Sequence, residues 1–229
     1  MSTQPDIRDR WFPQPGTEPP AYAAKHRIAD HVRAMIERLV GLDVDALAAV
    51  ELAALEDEAA ALRRHLESLP DRRRDGSLAA QPPPEGRLVE RSPVSGRGNA
   101  LALPLTYDFD AAEDTDITHA WAVFSTSYEG PPGGVHGGYV AAAFDELLGV
   151  AQMVTGVAGF TGTLTVRYRA LTPVGRRIDF TAWPADRDGR KVTMQARATV
   201  DDTIVAEAEG LFIAQVIAGE VPGADPQRW

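Results

Sequence analysis

The chain has 229 residues, of which 44% are hydrophobic and 24% are charged, as in an ordinary globular protein with a sizeable buried core. A formal net charge of −10 argues against a nucleic-acid-binding protein or a polybasic membrane protein. The absence of cysteine excludes disulfides, thiolate catalysis and cysteine-based zinc or iron–sulfur sites, and it favours an intracellular location.

The beginning of the chain predicts an extended arm. Residues 1–20 contain five prolines and lack the apolar segment of a signal peptide. No later stretch is long and apolar enough to predict a membrane span. We therefore expect a cytoplasmic protein that does not bind membranes or nucleic acid.

Two amphipathic helices are predicted after the arm. Residues 28–39 carry apolar side chains at 4-3-4 spacing, Gly41 ends this helix, and Asp43 is a candidate N-cap for the next one. In the second helix apolar residues alternate spacings of four and three, at Ala48, Leu52, Leu55, Ala59, Leu62, Leu66 and Leu69. The pattern predicts a helical hairpin whose stripes pack on each other, on the main domain or on a partner subunit; the alternative is an independent partner-binding module.

The composition changes after the second helix. Pro70 ends it, and the stretch that follows is rich in Arg, Pro and Gly, which predicts a linker. We therefore predict three regions: an arm with a helical hairpin at 1–75, a linker or loop region at 76–114, and the main domain at 115–229.

The main domain contains one helix among strands. A strand is predicted at 121–128, a glycine-rich turn follows, and a nearly all-apolar helix is predicted from about 137 to 154. Four more strands are predicted at about 162–171, 176–185, 191–201 and 203–216, separated by turn-forming residues. The predicted fold class is α+β, with one antiparallel sheet wrapped around one long helix.

Alternation along the last four strands predicts which face of the sheet is covered. One set of side chains is mainly apolar and is predicted to face the helix: Leu164, Val166, Tyr168, Ile178, Phe180, Ala182, Val192, Met194, Ala196, Ile204, Ala206 and Ala208. The opposite set is polar or charged, and its members can pair across neighbouring strands.

A carboxylate on the apolar helix is the main indication of chemistry. Burying an ionised carboxylate is costly unless it is paired or has a task, and this helix carries two adjacent acids, Asp145 and Glu146. Adjacent helical residues point about 100° apart, so both acids cannot face one site. Asp145 shares a stripe of small residues with Gly149. Either catalysis or close helix packing explains that stripe.

The turn before this helix is a candidate oxyanion site. His136 either carries a proton, donates to a ligand or ties the turn together. The amides of Gly137 and Gly138 lie at the predicted helix N-terminus, where unpaired N–H groups favour an anion, although helix caps also favour glycine. Together with a carboxylate on the same helix, these amides predict an acyl-transfer site.

Other chemistries lack their motifs. The sequence has no Gly-x-Ser-x-Gly elbow, no phosphate-binding P-loop and no dinucleotide fingerprint after a strand. Its five histidines have no convincing metal-ligand spacing. We therefore expect no metal site and no cofactor.

These features carry a family resemblance. The segment Gly-Gly-Val-His136-Gly-Gly, the acid nine positions after the histidine, and the order strand, long helix, four-strand meander resemble the PaaI-like hotdog-fold acyl-CoA thioesterases over about residues 121–216. The resemblance implies a hotdog fold and hydrolysis of an acyl-CoA to a free acid and CoA. It also implies a homodimer, or a larger homo-oligomer, in which two sheets join edge to edge and each site uses both subunits. The N-terminal helical hairpin is an extension of that fold.

The resemblance also implies roles for single residues. Asp145, rather than its neighbour, would be the general base or nucleophile, and the Gly137 amide would polarise the thioester carbonyl with Gly138 beside it. Thr161, sixteen positions after the acid, would hydrogen-bond the acid or the water. The histidine of the motif completes the predicted catalytic set.

Substrate contacts are predicted on the same helix and at the turns of the sheet. Gly138, Glu146 and Gly149 are the candidates on the helix. Arg176 and Arg177 are candidates for contacts with the CoA phosphates.

Two other functions compete with hydrolysis. One is a non-catalytic acyl-CoA or lipid-binding hotdog module, and the other is a hotdog-fold hydratase, for which Asp114 and His119 have a superficially similar spacing. One feature departs from certain relatives, which place an asparagine shortly before the histidine where this chain has Glu129-Gly-Pro-Pro.

Overall fold

The computed structural model describes residues 18–70, 89–108, 117–154 and 159–214. Three helices are α1 (Pro20–Val40), α2 (Ala49–Ser68) and α3 (Gly137–Val154), and six strands are β1 (Thr106–Asp108), β2 (Thr118–Val123), β3 (Gly159–Tyr168), β4 (Arg177–Asp188), β5 (Lys191–Val200) and β6 (Thr203–Ala214). The predicted hotdog fold with an N-terminal helical extension is confirmed. Most of the predicted arm and of the Arg-, Pro- and Gly-rich linker lies outside the described residues.

The six strands form one antiparallel sheet in the order β1-β2-β4-β5-β6-β3. The predicted four-strand meander is wrong in one respect, because β3 pairs with β6 and not with β4. Strand alternation indicates which face a side chain occupies, but it carries no information on which strands are neighbours. The strand that follows the long helix therefore lies at the far edge of the sheet.

The beginning of the sheet also differs from the prediction. β1 lies in the range that we predicted as a linker or loop, and it pairs with β2 through Tyr107 and Ala120. β2 ends at Val123, and a 3₁₀ turn at Thr126–Tyr128 replaces the predicted end of that strand. The amide of Ser127 donates to the hydroxyl of Ser125, 3.4 Å away, which stabilises this turn.

The core lies between α3 and the concave face of the sheet. Phe144, Leu147 and Leu148 of α3 are fully buried, and the Phe144 ring meets the Phe180 ring edge-on at 5.6 Å. Truncation of such a phenylalanine to alanine destabilises a protein by about 3–5 kcal/mol. This packing fixes α3, and with it the candidate site, against the sheet.

The predicted sheet faces are mostly as expected. Most of the predicted inward residues are buried or packed against the core, but Tyr168 and Ile204 are exposed. On the opposite face Arg169 pairs with Glu207 at 2.6 Å, and Gln195 donates to Glu209 at 3.0 Å. The exposed side chain of Tyr168 forms part of the candidate site.

The N-terminal helix α1 is attached by polar contacts to the segment that precedes β1. His26 is buried, with its Nε2 2.7 Å from Glu90 Oε2, and the same carboxylate accepts from Lys25 at 3.1 Å. Arg33 donates to the backbone carbonyls of residues 97 and 99 at 2.9 and 2.8 Å. The charged and polar face of α1, not its apolar stripe, therefore faces that segment.

The expectation that the two helical stripes pack on each other or on the main domain is wrong for the described residues. Apolar residues of the α1 stripe, including Met35 and Leu39, are exposed, and no residue of α2 is buried. Within the described ranges, no helix is long and apolar enough to cross a membrane.

Candidate active site

A compact turn leads into α3. The amide of Gly130 donates to Gly134 O at 2.9 Å, and the Glu129 carboxylate accepts from the Gly133 amide at 2.5 Å. Gly133 has a φ of +75°, which L side chains rarely adopt. Glu129 therefore stabilises the turn.

The turn leaves one helical amide available. The first N–H groups of a helix have no intrahelical acceptor. The Gly138 amide donates to His136 Nδ1 at 3.0 Å, and the amides of Tyr139 and Val140 donate to His136 O at 2.9 and 3.3 Å. Within the described chain, the Gly137 amide is the one left without an acceptor at this helix end.

This arrangement separates the roles of the two glycines and the histidine. Because Nδ1 of His136 accepts from Gly138, that imidazole acts as a side-chain cap of α3. The Gly138 amide is already used, so the Gly137 amide is the stronger candidate for binding a carbonyl oxygen.

Tyr168 of β3 holds Gly137 from the other side. Strand alternation predicted that Tyr168 faces the helix, but it did not identify Gly137 as the partner. Its hydroxyl donates to Gly137 O at 2.8 Å. A Cβ atom at position 137 would lie 3.2 Å from that hydroxyl oxygen, which is tighter than ordinary van der Waals contact. The close approach explains why glycine suits this position. Only the strand pairing brings residues 137 and 168 together.

Asp145 and Thr161 are in contact. The Thr161 hydroxyl donates to Asp145 Oδ1 at 2.8 Å. The acid is exposed in the single chain, so the burial penalty that drew attention to it does not apply there. One carboxylate oxygen is held by β3, and the other can face a ligand.

Glu146 faces a different part of the molecule. Its carboxylate accepts from the Ser92 hydroxyl at 3.1 Å and from the Ser95 hydroxyl. It also lies near the half-buried Tyr107, whose hydroxyl is inaccessible and whose pKa is raised well above its ordinary value, first by burial and second by the charge of Glu146. The predicted substrate contact thus lies against the segment that precedes β1.

The small-residue stripe of α3 is open at one position. A Cβ atom at Gly149 would meet nothing within 4 Å, and Gly149 lies one turn after Asp145. Further along the stripe Gln152 is buried. Space is therefore available beside the acid in the single chain.

The two arginines predicted to bind CoA are paired with aspartates. Arg176 contacts Asp201, and Arg177 Nε donates to Asp179 at 2.8 Å with its guanidinium 4.8 Å from the Trp121 ring centre. Both arginine side chains are more than half exposed, and exposed pairs of this kind contribute little stability. A phosphate group could displace either aspartate.

Gly137 and Asp145 lie on different turns of α3. They are eight residues apart, which places them about 12 Å apart along the helix axis. A thioester carbonyl, one water and their hydrogen bonds would have to be aligned along the helix to span that distance. That an amide and a carboxylate of the same helix act on one carbonyl stays a prediction, and the spacing favours groups from two different helices.

Metal and hydratase chemistries gain no support from the described residues. No group of three or more His, Asp or Glu side chains among them could hold a metal ion. His119 lies in β2 opposite Thr181, and Asp114 lies outside the described residues.

Two curated relatives match part of the chain. Acyl-coenzyme A thioesterase THEM5 of Homo sapiens is 31% identical over 96 residues, which are 41% of this chain and 39% of that protein. Acyl-coenzyme A thioesterase THEM4 of Xenopus laevis is 34% identical over 87 residues, which are 37% of this chain and 39% of that protein. The chain thus spans about two fifths of the length of these relatives. No family model matches it.

A solved structure matches more of the chain. The crystal structure of a thioesterase superfamily protein has a TM-score of 0.66 at 29% identity, covering 82% of this chain and 94% of that one. Because residues 117–214 are fewer than half of the 229 residues, the likeness extends beyond them into the N-terminal region.

Proposed function

We propose that this chain, a member of the PaaI-like hotdog-fold thioesterase superfamily, hydrolyses an acyl-CoA thioester to a free acid and CoA. The observation that carries the proposal is the hydrogen bond from Thr161 to Asp145, which holds an exposed carboxylate beside an open stretch of α3. A carboxylate held in this way can activate water.

In the proposed reaction Asp145 acts as a general base. It takes a proton from a water molecule while the water oxygen attacks the thioester carbonyl carbon. The negative charge that develops on the carbonyl oxygen is stabilised by the Gly137 amide. When the tetrahedral intermediate collapses, the carbon–sulfur bond breaks, and the CoA sulfur leaves and takes up the proton from Asp145.

We propose that the site is shared between two copies of the chain. Since Gly137 and Asp145 of one helix are about 12 Å apart along its axis, the amide of one copy and the carboxylate of a second are better placed to act on the same carbonyl. We propose a homodimer with two such sites.

Strand β3 is the edge that can join two copies. It lies at the end of the sheet opposite β1, and most of its ten residues are exposed, including Phe160. A long unpaired edge strand is a ready template for pairing with another chain. The three-residue β1 offers far less backbone.

Antiparallel pairing of β3 with β3 of a second copy brings the required groups together. Thr161, near one end of the strand, holds Asp145, whereas Tyr168, at the other end, holds Gly137. A two-fold axis near the middle of β3 places the Thr161 end of one copy opposite the Tyr168 end of the other. The Asp145 carboxylate of each copy then lies at the same end of the paired strands as the Gly137 amide of the second copy.

Thiol release from a panel of acyl-CoAs of different chain lengths tests this function. We expect the wild-type chain to release CoA, and Asp145→Asn to lower kcat at least about 100-fold, because the general base is lost. Asp57→Asn, a matched change on the exposed helix α2, should retain full activity.

Two results would contradict the proposal. Binding of acyl-CoA by the wild-type chain without thiol release across the panel would favour a non-catalytic binding module. Undiminished release by Asp145→Asn would remove the assigned role of that residue.

A further inference from the structure

Helix α2 presents an uncovered apolar stripe. Leu55, Leu62, Leu66 and Leu69 are 48%, 41%, 49% and 47% exposed, and no residue of α2 is buried. In proteins most of the stability of a helix comes from packing of its apolar face against another surface. Its stripe is therefore a surface for association.

The stripe has the width of a two-helix seam. Its apolar residues repeat with alternating spacings of three and four, at Leu52, Leu55, Ala59, Leu62, Leu66 and Leu69. A helix that packs on a globular core has a broader apolar face, whereas this narrow seven-residue repeat is typical of a coiled coil.

The residues beside the stripe determine the orientation of the second helix. We propose that α2 pairs with α2 of a second copy of this chain as an antiparallel two-helix coiled coil, with Ala59 of each copy facing Leu62 of the other. In this register the numbers of facing residues sum to 121, so Leu55 faces Leu66, and Leu52 faces Leu69.

Charge complementarity supports this register. On one side of the seam Glu56 lies beside Arg63 of the second copy, which is an opposite-charge contact. On the other side Glu58 lies beside the imidazole of His65 of the second copy, which is a polar contact. The two-fold axis repeats both contacts. Arg63 is 69% exposed, and its partner within the chain is Glu67 at 3.4 Å, a surface contact that contributes little and leaves the guanidinium accessible.

A parallel pair is disfavoured by the same residues. With the two helices parallel and in register, Glu51 of each copy would lie beside Glu56 of the other on both sides of the seam, and this repulsion would oppose the favourable contact of Glu58 with Arg63. Ala59 would also face Ala59 and leave a gap in the seam. The antiparallel register instead places the small side chain opposite a leucine.

A cross-linking experiment tests this pairing directly, because the chain has no cysteine. In the full-length double variant Leu55→Cys with Leu66→Cys, we expect mild oxidation to give covalent dimers in which peptide mapping links position 55 of one copy to position 66 of the other. Within one chain these positions lie about 16 Å apart along the helix, beyond the reach of a disulfide.

The matched control is Ala54→Cys with Glu67→Cys. The numbers of these two positions also sum to 121, but both positions lie on the outer side of the helix. We therefore expect cross-linking at least tenfold slower than for the pair at positions 55 and 66. Equal rates for the two pairs would overturn the proposal. Links of 55 to 55 and 66 to 66 would show a parallel pair, and no dimer would show that another segment or another protein covers the stripe; either result would also overturn it.

A charge exchange in the same cysteine background provides a second test. Arg63→Glu should slow cross-linking about tenfold, because Glu56 of the second copy then meets a like charge. Adding Glu56→Arg should restore the rate to within about twofold. No effect of the first change, or no recovery with the second, would contradict the assigned register.

Discussion

The contact between Thr161 and Asp145 is the part of the site that a single substitution tests most cleanly. Thr161→Val keeps the shape of the side chain but removes the hydroxyl that orients the carboxylate. We expect kcat to fall about tenfold with KM nearly unchanged, because a lost hydrogen bond of about 1.4 kcal/mol corresponds to that factor. Steady-state kinetics with the best acyl-CoA checks this, and recovery by Thr161→Ser is the control. A rise in KM alone would point to a role in substrate binding.

Substitutions at His136 test whether its side chain caps α3 or carries a proton. Its Nδ1 accepts from the Gly138 amide, so His136→Ala should destabilise the chain by about 1 kcal/mol. His136→Asn, which supplies another side-chain acceptor, should recover most of that loss. Urea denaturation measures the stability. Retention of kcat by His136→Asn is expected, whereas its loss together with the pH dependence of the rate would identify a proton carrier.

The sequence was informative at single residues where the relevant contact is local. Within α3, spacing indicated that the two neighbouring acids face different places, and Glu146 indeed contacts Ser92 while Asp145 contacts Thr161. The contact of Tyr168 with Gly137 could not be predicted, since it depends on where β3 lies in the sheet. Asp145 is exposed in the single chain, and its expected burial stays a prediction for the proposed dimer.

At the scale of elements, the attachment of α1 to the rest of the chain depends on Arg33. Its guanidinium donates to backbone carbonyls of the segment that precedes β1, and Arg33→Met would leave those carbonyls without this donor. We expect a loss of about 2 kcal/mol and faster hydrogen exchange across residues 20–40. Arg38→Met, a change at an exposed arginine of the same helix, is the control. Unchanged exchange in α1 would show that other contacts attach it.

Tyr107 of β1 predicts that the stability of the folded chain depends on pH. Burial, and secondly Glu146, raises the pKa of Tyr107 well above the ordinary value of 10.0. In the unfolded chain this phenol loses its proton near that value, whereas in the folded chain it keeps it. The contribution of Tyr107 to the free energy of unfolding is therefore unaffected below about pH 10, and stability is lost as the pH rises further.

Comparison of wild type with Tyr107→Phe measures this effect. We expect the free energy of unfolding of the wild type to fall more steeply between about pH 9 and pH 11 than that of the variant, because the variant lacks the phenol. Parallel curves for the two proteins would contradict a burial effect at this position.

Sequence periodicity predicted which helices and strands form better than it predicted which strands lie next to each other in the sheet. The bounds of α3 agree with the prediction because its apolar run is long and ends at turn residues. β3 was assigned to the wrong neighbour, since alternation fixes only faces, and β1 was missed because three residues carry no periodic signal. The stripes of α1 and α2 identified helices correctly, but the attachment of α1 through Arg33 and His26 uses its polar face.

At the scale of the whole molecule, two copies of the chain share each proposed site. Gly137→Pro removes the one amide that lacks an acceptor at the start of α3, a position where proline is favoured, and Gly137→Ala is the matched variant that keeps the amide while adding a Cβ atom. Alone, Gly137→Pro and Asp145→Asn should both be inactive, with Gly137→Ala more active than Gly137→Pro.

Complementation between these two inactive variants is the most direct test. Each hybrid dimer, isolated through two different affinity tags after co-expression, contains one copy with Asp145→Asn and one with Gly137→Pro. If the amide of one copy works with the carboxylate of the other, one of its two sites is intact, and thiol release should reach about half of the wild-type rate per dimer. Hybrid dimers as inactive as the two parent variants would contradict the account.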